Sequence, residues 1–368
     1  PTMPEVVAPQ PRVHGAARAA SADCKFSARP SKSLPSAGLS AEKFYSEYHG
    51  HRVGDLQVLL PALRPRAVTW LVGDSSLDNK HWLFDARRDG SDTTALPLCA
   101  GYEEVLRPPQ AQVADVAYWV NRELERRGLA GQLACVNTAV EESTLADRAG
   151  ESMLAQDLFV HEHIEAEDTL VVSVGGNDVA LRPSVKTAIS MLMLTRSPVS
   201  LIRSGWAPGS SHFVHLFREQ TMHFVRKLIA RRKPRRVIVC TIYYLDPRPG
   251  GSWADFVLNK LGYDDHPEKL QAAIDTIYER AHQTIADVDG VEVLAVPLFR
   301  ALDGTDTADY VQRVEPSAQG GRKMAAVIAD AVLAERPEGG WPGENYRPRL
   351  GDHRAYSGDG AGPGCSLM

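Results

Sequence analysis

The stretch Ala67-Val68-Thr69-Trp70-Leu71-Val72-Gly73-Asp74-Ser75 is a nearly continuous apolar run that breaks at a Gly-Asp-Ser turn. A short run that is apolar on both faces predicts a strand covered on both sides, as in a parallel sheet. Four more such runs follow, at residues 133–139, 168–174, 236–245 and 291–297. Helical periodicity fills the intervals at 110–128, 152–165, 212–232, 267–287 and 318–335. This alternation, with right-handed crossovers, predicts a five-stranded parallel sheet inside a three-layer α/β/α sandwich.

In such sheets the reactive groups gather at the carboxyl ends of the strands. The first strand is followed there by Gly73-Asp74-Ser75-Ser76-Leu77-Asp78-Asn79. A Ser at the start of a helix, near its positive end, suits a nucleophile whose neighbouring N–H groups hold an oxyanion. The plain alternative is an N-cap that only starts the helix. After the second strand come Asn137-Thr138-Ala139, and after the third Gly175-Gly176-Asn177-Asp178. Paired glycines permit close backbone approach, and the Asn brings a neutral amide donor to the same rim.

At these residues the sequence resembles the SGNH (GDSL-type) hydrolases, esterases and lipases on a flavodoxin-like three-layer sandwich. The resemblance covers about residues 65–335 and implies Ser75 as nucleophile, with Asp74 beside it. It implies an oxyanion hole of the Ser75 N–H, the Ala139 N–H and the Asn177 side chain, supported by Asn137 and Gly176. Ala139 stands where the family has Gly. The family's Asp-x-x-His-Pro segment reads Gln312-Arg313-Val314-Glu315-Pro316 here, so Glu315 replaces the His and Gln312 the Asp.

Glu315 is then the substitute base, and His81 and His212 are alternative bases from elsewhere on the rim. A carboxylate near its ordinary pKa of about 4.3 is a weak base at neutral pH, but burial raises it. Two readings follow. One is a carboxylic-ester hydrolase that uses Ser75 with an atypical base. The other is a catalytically inactive pseudoenzyme kept as a structural or binding subunit.

Composition narrows the rest. The 368 residues include 41 Lys+Arg and 46 Asp+Glu, a net charge of -5, with 43% hydrophobic and 24% charged residues. These values exclude wholesale disorder and a basic nucleic-acid binder. The length fits two domains, or one α/β domain with tails. The pattern favours the latter, with an extended or disordered arm over 1–38, the α/β domain over 39–336 and a flexible tail over 337–368. The arm, with five basic and two acidic residues, also has the composition of an organelle transit remnant.

Cys365-Ser366-Leu367-Met368 matches a prenylation signature, making Cys365 a lipidation candidate. The other cysteines form no CxxC pair, so no zinc site or disulfide framework is expected. No Walker or Rossmann glycine motif is present, and no cofactor or metal is expected. The expected partners are a small acyl ester or lipid, and proteins that meet the tails or the 243–263 insertion, but no nucleic acid. Membrane contact would come only through a C-terminal lipid. The absence of an N-x-[ST] sequon fits an intracellular chain, cytoplasmic or organellar.

Overall fold

The computed structural model describes residues 38–88, 96–107 and 112–335. Nearly all of the 1–38 arm lies outside the described residues, and so do the 337–368 tail and Cys365. The sheet has six strands: β1 (Ala67–Gly73), β2 (Leu133–Asn137), β3 (Thr169–Ser173), β4 (Arg236–Thr241), β5 (Asp287–Val288) and β6 (Val291–Pro297). Their order is β2-β1-β3-β4-β6-β5. The first five in that order run parallel, and β5 pairs antiparallel with β6 at the edge. The expected five-stranded parallel sheet is present, with β5 added.

Strand alternation sorts the core into two layers. Trp70 and Val72 of β1 pack on one face, with Leu56, Phe159, Phe224 and Ala272. Those four belong to helices α1 (Val53–Leu63), α3 (Ala155–His163), α4 (Thr221–Ile229) and α5 (Pro267–Arg280). Leu71 faces the other way, toward Val116 and Val120 of α2 (Val116–Arg126) and Met324 and Ile328 of α6 (Ala318–Leu333). Both sheet faces are therefore covered, which explains strands without polar alternation. No helix among the described residues is long and apolar enough to cross a membrane.

Two expected strands overran. The chain leaves the sheet after Asn137 and after Thr241, yet the apolar pattern continues because residues such as Ala139 and Tyr243 are buried elsewhere. The 243–263 insertion contains a short helix, Asp255–Lys260, and the excursion after β3 contains the helix Val185–Arg196.

Asp168 ties the layers together just before β3. Its carboxylate accepts bonds from the Val68 N–H at 2.7 Å, the Trp70 indole at 2.8 Å and the Glu165 N–H at 2.9 Å. Both of its oxygens also take the Arg64 guanidinium at 2.7 Å. Asp168 is fully buried, so removing it leaves a cation and three donors without their acceptor. Asp168→Ala is expected to cost about 3–5 kcal/mol of unfolding free energy in urea titration, and a loss below about 1 kcal/mol would contradict this role.

Candidate active site

The chain places β2 on one side of β1 and β3 on the other, and the rim at the ends of β1 and β3 holds Ser75 and Asn177. Glycine is required at Gly73, because a Cβ there would sit 1.9 Å from the Ser173 carbonyl oxygen. The turn then folds around Asp74. Its N–H donates to Ser173 O at 3.1 Å, and its Oδ1 accepts the Ser76 N–H at 3.1 Å and the Ser76 hydroxyl at 2.7 Å. The next helix begins at Lys80. Ser75 is therefore a half-buried turn residue rather than a helix opener, so the expected help from a helix end is missing.

Glu315 reaches this turn from the opposite side. It stands on a hairpin that pairs Tyr310–Val311 with Glu315–Pro316, turning through Gln312 and Arg313, at φ 53° and 68°. Three contacts fix the hairpin. The Arg313 guanidinium, nearly buried, holds Asp255 and Asp264 at 2.7 Å each. Tyr243 donates to Val314 O at 2.7 Å, and the Asn79 amide donates to Pro316 O at 2.8 Å. So placed, the buried Glu315 carboxyl lies close enough to the Ser75 hydroxyl for that group to favour its charged form.

Gln312 does not take the orienting place expected of it. It is exposed, its carbonyl accepts the Ser252 hydroxyl at 2.6 Å, and its side chain accepts the Trp253 N–H at 3.3 Å. It therefore fastens the insertion to the hairpin and leaves Glu315 alone.

The expected oxyanion hole is incomplete. Asn177 is in place at the rim, on a short helix, Gly176–Ala180, entered through Gly175 at φ 99°. One amide hydrogen of Asn177 goes to Ser143 O at 3.1 Å, which leaves the other available. The Ser75 N–H meets no acceptor among the described residues. The Ala139 N–H, however, is buried and donates to Asn137 Oδ1 at 3.1 Å. Asn137 thus supports the turn but takes up the third expected donor. Gly176 faces Asp74 and the Ile242 side chain.

The two alternative bases are placed elsewhere. His81 packs edge-on to Tyr48, with ring centroids 4.5 Å apart, and to Trp82. His212 shares a hydrogen bond with Thr187 at 3.0 Å. Neither ring lines the pocket at Glu315, which is formed by Tyr48, Trp82, Glu141, Asn177, Trp253 and Glu315, among others. Among the described residues no group of three His, Cys, Asp or Glu could hold a metal. The thiols of Cys135 and Cys240 are buried, and burial pushes both up in pKa.

Sequence reasoning missed Glu141. It is buried against the same pocket, and its N–H donates to Asp78 Oδ2 at 3.0 Å. The Asp78 carboxylate in turn pairs with Lys80 at 2.6 Å, both fully buried. The only sequence signal was a pair of carboxylates, Glu141-Glu142, just beyond a strand end. Arg148 was missed too. It is buried, pairs with Asp157 at 2.9 Å and donates to Gly73 O at 3.2 Å, bracing the turn that carries Ser75.

Burial sets the charge state of the site, with repulsion between carboxylates second. Burial, and then the Asp74 charge, push Glu315 well above the usual carboxylate range, against a lowering by the Ser75 hydroxyl. Glu141 is also raised strongly, first by burial and then by Glu315. Burial lifts Asp74 to about 6 despite its two bonds from Ser76. One Oε2 on Glu141, one on Glu315 and the Trp82 indole N–H are buried without a protein partner among the described residues.

These shifts have a sign for stability. A carboxyl whose folded pKa lies above its unfolded value makes folding weaken as pH rises past the unfolded value. Glu141→Gln and Glu315→Gln should each match the parent near pH 4 and exceed it at pH 8 by at least about 1.4 kcal/mol, the worth of one pKa unit. Urea unfolding at both pH values checks this, and an advantage that does not grow with pH would contradict it.

No family model matches the chain, and no curated protein matches it. Solved structures do. A carbohydrate esterase family 3 protein from Talaromyces cellulolyticus is 15% identical over 73% of this chain and 96% of its own, with a TM-score of 0.37. For an extracellular lipase from Streptomyces rimosus the values are 14%, 73%, 100% and 0.39. For a carbohydrate acetylesterase from Sinorhizobium meliloti they are 15%, 73%, 98% and 0.36. The described residues form the expected three-layer α/β/α sandwich, with Gly73-Asp74-Ser75 and Gly175-Gly176-Asn177-Asp178 at the ends of β1 and β3.

Proposed function

We propose that the protein is a serine ester hydrolase in which Glu315 does the work of the missing histidine. The observation that carries this reading is the buried Glu315 carboxyl beside the Ser75 hydroxyl, at a pocket that Glu315 and Asn177 both line. Glu315 takes the Ser75 proton as Oγ bonds to the ester carbon. The Ser75 N–H and the Asn177 amide hold the resulting oxyanion. When the C–O bond to the alcohol breaks, Glu315 returns the proton to the leaving oxygen. Water then attacks the acyl-enzyme with Glu315 again as base; as the acyl–Oγ bond breaks, Glu315 returns that proton to Ser75 Oγ and the acid is released.

The raised pKa serves this cycle. A carboxyl that titrates close to the working pH both accepts and donates protons better than an ordinary one. Turnover should therefore climb with pH as Glu315 loses its proton. The charge of Asp74 is the main electrostatic cause of the elevation, so Asp74→Asn should move the rising limb down by roughly one unit. Ser75→Ala should leave only background ester hydrolysis, and Asn177→Ala should lower kcat by roughly 10²–10³. Steady-state kinetics on 4-nitrophenyl esters from pH 5 to 10 test all three, and full activity in Ser75→Ala would overturn the proposal.

A second reading has one specific observation behind it. The Ala139 N–H is spent on Asn137, so the oxyanion site is a donor short. An inactive binding subunit built on this fold would turn over no ester at any pH.

A further inference from the structure

Two chambers adjoin at Trp253, and they differ in chemistry. One is the pocket at Glu315, where the Trp82 indole N–H and one oxygen each of Glu141 and Glu315 are buried without protein partners. The other is a cavity of about 100 Å³ with an almost wholly apolar lining. Its lining includes Gly176, which precedes Asn177, and Val314, which precedes Glu315. Met191, Phe213, Leu258 and Ile277 also wall it. Trp253 lines both chambers and so marks the passage between them.

Proton transfer decides which arm of an ester goes where. The leaving oxygen must meet the carboxyl that protonates it, so the alcohol belongs in the chamber of Glu315. The acyl arm then points the other way, into the apolar cavity. We infer that the substrate is an ester of an apolar acyl chain several carbons long with a small polyhydroxylated alcohol. This rests on the ester-hydrolase reading above and names its substrate class.

Each half has its own support. A lining without polar groups gains from each buried methylene and offers nothing to a sugar or a charged acid. The three partnerless polar atoms are one donor and two carboxyl oxygens, which is what alcohol hydroxyl groups pair with. The cavity's outer wall is the insertion, and its large apolar side chains Trp253 and Phe256 remain 45% and 69% exposed. Exposed aromatics at the mouth of an apolar cavity fit a site that an apolar chain enters and covers. Arg313 and Gln312 bind this wall to the hairpin of Glu315, so chain binding and the base share one support.

The test uses the full chain and 4-nitrophenyl acetate, butyrate, hexanoate and octanoate. Expected is a rise in kcat/KM of roughly fourfold per methylene. Ala273→Phe, which narrows the cavity, should cut the octanoate-to-acetate ratio roughly tenfold, and Leu258→Ala, which widens it, should raise that ratio. Glycerol mono-octanoate should be cleaved faster than ethyl octanoate, an advantage that Trp82→Phe reduces. A flat or falling chain-length series, or a ratio unmoved by both cavity variants, would overturn the acyl half and leave the hydrolase reading standing. Equal rates for the glycerol and ethyl esters would overturn the alcohol half. Should no ester be cleaved in a Ser75-dependent way, the hydrolase reading fails. Calorimetry of octanoate with the Ser75→Ala chain then decides the cavity alone, where binding supports it and no binding at millimolar octanoate overturns it.

Discussion

Four carboxyl side chains, Asp74, Asp78, Glu141 and Glu315, are buried together at the carboxyl end of the sheet, and Lys80 neutralises Asp78. Burial of like charges is costly unless protons stay bound, so the other three are raised in pKa. This burial, reinforced by the repulsion, is the constraint on which the site depends. It turns a carboxyl, in other settings a poor base, into a group that exchanges protons near neutral pH. It also makes the site a destabilised place in the fold, where function and stability pull in opposite directions.

The fold sustains this repulsion by anchoring its neighbours firmly. The Glu315 hairpin is held through Arg313, Tyr243 and Asn79, none of which touches the carboxyl itself. The turn that carries Ser75 is held by Gly73 against Ser173 and by Arg148. Ser75 and Glu315 thus meet as the tips of two separately braced segments. The same hairpin fastens the insertion that walls the apolar cavity, so one local structure serves both the base and the acyl arm.

Much of this was legible in the sequence. The runs at β1, β3 and β6 announce strands because both faces are buried, and the Gly-Asp-Ser and Gly-Gly-Asn-Asp segments stand where they are expected. The replacement of His by Glu315 was visible as a departure from a pattern. Other features arise only on folding. Thr138, Ala139 and Tyr243 read as strand because they are buried outside the sheet. The two residues of β5 are too few to show a period. Asn137 was expected to support the Ala139 donor, but its side chain turns back and consumes it. Glu141 looks like a solvated charge beside Glu142 until loop closure buries it. Gln312 was placed correctly in sequence but directed wrongly, because the left-handed turn at Gln312 and Arg313 swings it outward.

The central claim is that Glu315 removes the proton from Ser75. It is tested most directly by the rate at which a fluorophosphonate labels Ser75, followed by intact-mass spectrometry from pH 5 to 10. The account predicts a single adduct on Ser75 whose rate rises along the titration of Glu315, and a slow, pH-independent rate in Glu315→Gln. Equal labelling of the parent and Glu315→Gln across that range would contradict it.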